Sequence, residues 1–187
     1  MRARQARLLA LPSLRATGWP ALVGGAAAAG GLLALPGPGG LLLLLAAGIV
    51  AVGVAFLVED EAEVTVASVP TKLLVRRLIR LGVTLPLVAV LWTLLLWHGD
   101  GDWTAPTLAL AALGMLAAAV AARYGAVAGA VVPPALIVAA QLLPARLELL
   151  DGSHAASARW LALLAVGIAA FCAASRDPAH RWRSLQT

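Results

Sequence analysis

From Leu41 to Val58 the chain reads "LLLLLAAGIVAVGVAFLV", without one charge or one hydrogen-bonding side chain. In hydrocarbon an unpaired backbone N–H or C=O is costly, so a run like this has to close its hydrogen bonds within itself, as a helix. Further apolar runs cover Trp19 to Leu35, Leu81 to Trp97, Thr107 to Ala122, Ala126 to Leu143 and Trp160 to Ser175. About 20 residues cross a typical hydrocarbon core. Several of these runs are therefore thin or tilted crossings, and the alanine-rich one from Thr107 is the weakest. The chain is 61% hydrophobic and 12% charged over 187 residues, whereas a soluble domain is about half apolar and about a quarter charged. Together these features predict an all-α polytopic membrane protein with six transmembrane helices.

The breaks between the runs are marked by residues that stop helices. "PGPGG" from Pro36 to Gly40 reads as a tight turn, or as the tip of a re-entrant pair. Pro86 distorts the third run, and Pro133 with Pro134 distorts the fifth. Small residues mark expected helix packing: Gly24 and Gly25 in "GGAAAAGG", and the step from Gly125 to Gly129. With both termini in the cytoplasm, the inside segments hold Arg2, Arg4, Arg7, Arg15, Lys72, Arg76, Arg77, Arg80, Arg123, Arg176, Arg181 and Arg183. Only Arg146 and Arg159 fall outside, so the positive-inside rule selects this orientation and an even number of crossings. The net charge of +5 is accordingly topological and implies no nucleic-acid partner. Trp19, Trp97, Trp103, Trp160 and Trp182 fall at expected interfaces, and Trp92 falls mid-run.

Residues 1–18 form a separate element, in which Leu8, Leu9, Leu11 and Leu14 can share a face and Arg4, Arg7 and Arg15 another. It reads as an interfacial, elbow-like helix bent at Pro12, or as a basic tail. Residues 19–187 are the transmembrane domain, with a cytoplasmic loop at 59–80 and an outer segment at 144–159. That outer segment, "PARLELLDGSHAASAR", forms short interfacial helices or an ordinary polar loop. The N-terminal arginines spread too far for a cleavable signal peptide.

Catalytic and metal-binding chemistry has few candidates. No ionisable residue stands in the middle of a run, where one would flag a proton or ion path. Thr84, Thr93 and Gln141 are the notable polar groups at depth. His98 and His154 lie outside and His180 inside, so the three cannot share a site. "HGDGDW" offers His98, Asp100 and Asp102, too few oxygens for a full calcium loop, and reads as a solvated turn. Cys172 is single, so it forms no disulfide within the chain and supplies no thiolate metal site. No GxxxxGK[ST] occurs, and Lys72 is the sole lysine, so the chain has no P-loop for ATP. Neither an enzyme active site nor a cofactor or metal site is expected.

The exception to the apolar pattern is "LVEDEAEVTVASVPTKLLVRRLIR", Leu57 to Arg80. Its bases are explained by orientation. Its acids, Glu59, Asp60, Glu61 and Glu63, are not, because acids contribute little to topology. Ser68 and Pro70 suit a helix start. From there Leu73, Leu74, Arg76, Arg77, Ile79 and Arg80 give an amphipathic lead into the third run.

In layout and in the order Glu63, Thr65, Ala67, Ser68, Pro70, Thr71, the chain resembles ABC exporter permeases of the ABC-two class. Val64 stands where that family usually has glycine, and Val69 separates Ser68 from Pro70. The resemblance implies a coupling helix seated on a separate ATP-binding subunit. Glu59, Asp60, Glu61, Glu63, Thr65, Ser68, Pro70, Lys72, Arg76 and Arg77 are the expected coupling residues. It also implies pairing with a second copy or a homologous permease subunit in the plasma membrane, with ATP and Mg held by the ATPase partner. The expected role is an export permease for a hydrophobic or amphipathic substrate, surrounded by membrane lipid. A non-transporting scaffold or accessory subunit is the alternative.

Overall fold

The structure is a computed structural model that describes residues 19–36, 39–58, 73–97, 103–142 and 154–175. Among the described residues there are six helices and no strand: α1 (Trp19–Leu33), α2 (Gly39–Val58), α3 (Leu73–Leu96), α4 (Thr104–Tyr124), α5 (Ala126–Leu142) and α6 (His154–Ala174). Four of them are long and apolar enough to cross a membrane, with windows Gly40–Val58, Arg77–Leu96, Thr104–Tyr124 and Ser157–Ala174. The apolar stretches of α1 and α5, Pro20–Leu33 and Ala126–Ala140, are shorter.

Helix ends fall where the local chemistry puts them. Pro106 sits in the first turn of α4, where a missing N–H breaks no helical bond. Gly125 alone separates α4 from α5. It has φ 94°, a backbone conformation that side chains with a Cβ rarely adopt, and its N–H donates to the Ala121 carbonyl at 2.9 Å. Pro86 lies inside α3, and Pro133 and Pro134 lie inside α5.

Helices α2 and α4 are the centre of the bundle. Helix α2 packs against α1, α4 and α5, and α4 packs against α2, α5 and α6. The alanine-rich run, expected to be the weakest crossing, is thus a hub. Its small side chains explain this: Ala109, Ala112, Gly114, Ala117, Ala118 and Ala121 are all buried and let neighbouring backbones approach. Inside lipid, association depends on such packing, because lipid tails are as apolar as leucine.

The closest approaches occur at glycines. A Cβ at Gly25 would lie 3.3 Å from the Ile49 carbonyl oxygen, and one at Gly53 would lie 3.2 Å from Leu22 Cα, so α1 and α2 form a tight antiparallel pair. Gly167 brings α6 to within 3.0 Å of Met115 Cβ on the same measure. At Gly48 the obstacle is the Cδ1 tip of Ile137, which can rotate away. Gly48→Ala should therefore lower the thermal midpoint of the detergent-solubilised protein only slightly, by less than the ~1–3 kcal/mol typical of overpacking. A melt followed by tryptophan fluorescence checks this. Gly24, expected at a packing face, has nothing within 4 Å of its Cβ position and faces open space within the chain.

The start of α6 places two residues more closely than their sequence positions suggest. Arg159, placed in an outer loop, lies in the first turns of α6 and is half-buried. Trp160, placed in an interfacial belt, is only 3% exposed and belongs to the core with Phe171. The helix begins at His154, before the apolar run does, and this carries both residues into the bundle. Trp97 and Trp103, by contrast, are exposed.

Candidate functional site

Helix α3 is held differently from the rest. It packs only lightly against α1 and α2. Its long apolar face meets a cleft instead of a neighbour. Leu81, Leu85, Val88, Trp92 and Leu96 form a stripe at helical spacing along one wall of a cavity of about 460 Å³. Trp103 and residues of α4 from Thr107 to Met115 make the opposite wall, Leu164 and Ile168 of α6 complete it, and Val54 of α2 contributes to the lining. Leu85 and Ile168 line the cavity and are each about half exposed, so it opens sideways between α3 and α6.

The lining is almost wholly apolar, and its polar groups are largely used. Trp92 Nε1 donates to Thr107 Oγ1 at 3.0 Å, tying α3 to α4 across the cavity. Thr93 Oγ1 donates to the Ala89 carbonyl at 2.8 Å, back onto its own helix. Thr84, buried beside the site, donates in the same way to the Arg80 carbonyl at 2.9 Å. These hydroxyls satisfy helix carbonyls and do not line up as a relay. Replacing Thr107 by Val should leave the Trp92 N–H without its acceptor and loosen α3. Interhelical hydrogen bonds in membranes are worth about 0.6–2 kcal/mol, so the expected result is a modest drop in thermal midpoint. Faster reaction of a cysteine introduced at Leu85 with a lipid-permeant maleimide would report the loosening.

At one end of the cleft wall the sequence changes character. Arg77 stands one turn before Leu81 on the same stripe, and Arg80 is adjacent. Both are buried, at 7% and 6% exposure. Arg76 is in α3, and its side chain lies outside the described residues. So do Glu59, Asp60, Glu61, Glu63, Thr65, Ser68, Pro70 and Lys72, together with His98, Asp100 and Asp102. Of the glycines expected at packing faces, Gly129 makes the tightest contact with α4, Gly25 abuts α2 and Gly125 forms the turn. Among the described residues no cluster of three His, Cys, Asp or Glu side chains is placed to hold a metal.

No known protein family, characterised protein or solved structure matches this chain. The site therefore has to be read from its own geometry. Sequence reasoning missed the cleft and the Trp92–Thr107 bond. The one available signal was the stripe from Leu81 to Leu96, but α3 is apolar beyond that stripe too, and periodicity alone could not single it out.

Proposed function

We propose that the chain is the membrane-spanning permease subunit of an ATP-driven exporter of the ABC-two type. In this reading all six helices cross the plasma membrane and both termini are cytoplasmic. A separate subunit binds ATP and Mg, and a second copy or a homologous permease completes the pore. The observation that carries the reading is the placement of α3. This helix follows directly on the charged segment 59–72 in the chain, is lightly packed, and forms one wall of the apolar cleft. A partner that pulls on that segment would move α3 before any other helix. Moving α3 changes the cleft, as a two-state transport cycle requires. The apolar lining suits a hydrophobic or amphipathic substrate.

The test is co-expression with a P-loop ATPase that lacks spans of its own, sought first in the adjacent reading frame. The expected result is a stable complex and ATP turnover that rises when the permease is reconstituted in lipid. An ATPase that neither copurifies nor changes its turnover would rule the reading out.

The accessory-subunit reading is favoured by one observation. Gly24 and Gly31 on α1 face open space, with Ala27 and Ala28 exposed between them. Such a face accepts another membrane helix closely. If Gly24→Leu with Gly31→Leu dissolves a larger complex and leaves ATP turnover unchanged, the assembly role is the correct one.

A further inference from the structure

We infer that the cleft between α3, α4 and α6 binds a lipophilic ring ketone or quinone, whose carbonyl oxygen accepts from the Thr107 O–H. This inference rests on the membrane reading above and narrows its substrate class.

Three observations converge at the Trp103 end of the cleft. The first is an unspent donor. A threonine hydroxyl offers one proton and two lone pairs. Thr107 Oγ1 receives the Trp92 N–H at 3.0 Å, and among the described residues nothing accepts its own proton. Thr93, the other hydroxyl in the lining, has spent its proton on the Ala89 carbonyl at 2.8 Å. Thr107 lines the cavity and is exposed within the chain, so a ligand in the cleft reaches its O–H. Hydrocarbon supplies no water to take that proton, and a ligand that brings an acceptor satisfies it.

The second observation is the pair of indoles around that hydroxyl. Trp92 is tied to Thr107 through its ring nitrogen and is only 3% exposed, so its ring is a fixed wall. The Thr107 N–H donates to the Trp103 carbonyl at 3.1 Å, which sets Trp103 one turn back along the chain. Both indoles line the cavity. Aromatic rings gain from offset or edge-on contact with other rings beyond the area they bury. A ring ligand therefore fits this end better than a bare alkyl chain. Met115, also in the lining, adds a thioether of the kind that packs well against ring edges.

The third observation is size and access. The cavity holds about 460 Å³, within the range of roughly 300–1,000 Å³ usual for small-molecule sites. That is on the order of 15 non-hydrogen atoms if each takes the ~30 Å³ share of a water molecule, the bulk of a two- or three-ring compound. The mouth at Leu85 and Ile168 opens sideways, so a lipophile dissolved in the bilayer enters without crossing water.

The experiment uses the whole protein in phosphatidylcholine nanodiscs, with benzophenone as a ketone that is its own photolabel. Ultraviolet cross-linking and peptide mapping should place label on the cleft-lining peptides of α3 and α4. Fluorenone and fluorene, which share one shape and differ by the carbonyl, then compete for the site. The preference for fluorenone should fall about threefold to tenfold in Thr107→Val, the range that one ordinary hydrogen bond gives. Thr107→Ser should keep the preference. Partition into lipid differs between the competitors but not between the variants, and a loosened α3 weakens both competitors alike, so the ratio reports the hydroxyl. Ala111→Leu, which adds bulk to the cavity wall, should cut the labelling severalfold. Label spread evenly over outward residues such as Val90 and Val166, undisplaced by fluorenone, would overturn the site. A fluorenone-to-fluorene ratio unchanged by Thr107→Val would overturn the carbonyl assignment. Hexadecane displacing the label better than fluorenone at equal bilayer concentration would overturn the ring ligand in favour of an alkyl chain. No ATPase is present, so these results stand or fall separately from the exporter reading.

Discussion

Gly129→Leu should yield no folded, monodisperse protein. A Cβ at Gly129 would lie 2.6 Å from the Ala117 carbonyl oxygen, 2.7 Å from Ala121 Cβ and 3.0 Å from Ala121 N. The first and last of these are backbone atoms of a helix, and the Cβ is fixed to that backbone. Nothing there can rotate aside, as Ile137 can beside Gly48. Relief requires α5 to move away from α4, yet Gly125 joins the two helices by a single residue. Even Gly129→Ala should be felt, by about 1–3 kcal/mol, the usual range for overpacking. Size-exclusion profiles and melts in mild detergent give the comparison. A Gly129→Ala protein that melts with the parent would show the two backbones to be farther apart than described. The Gly48→Ala protein serves as the control with a yielding neighbour.

The second large effect concerns the acids before α3. Glu61→Lys with Glu63→Lys should abolish stimulated ATP turnover by the partner and weaken the complex at least tenfold, about 1.4 kcal/mol or more. Reversing two charges would convert attraction at the proposed docking surface into repulsion, and like-charge contact across an interface costs several kcal/mol. The same substitution adds bases on the proposed cytoplasmic side, which reinforces the orientation instead of disturbing it. Insertion and melting should therefore be unchanged, and the loss can be assigned to the partner surface. Full complex formation with undiminished turnover would remove these acids from the coupling role.

Helix limits were legible where the sequence contains breakers. The "PGPGG" break bounds α1 and α2 within a few residues of where composition places them, whereas Gly125, expected at a packing face, is the turn between α4 and α5. Arg77 and Arg80 were legible as charges, but the burial of both was not. Hydropathy measures how a segment partitions into lipid. It does not measure how closely two segments approach, and so it gave no sign that the alanine-rich α4 packs against three neighbours. The cleft was hidden for a related reason. In a soluble helix the apolar stripe stands out against a polar face. In α3 the exposed Leu78, Leu85, Val90 and Leu94 are as apolar as the buried Val88 and Leu96. With both surroundings greasy, the side facing the bundle has no compositional mark.

The single-residue joint at Gly125 bears on assembly as well. Helices α4 and α5 pack on each other and have no linker between them beyond that glycine. In a bilayer such a pair has no slack chain with which to place one helix before the other, so the two should enter together as a hairpin. A flexible insert at the joint should let them enter one after the other.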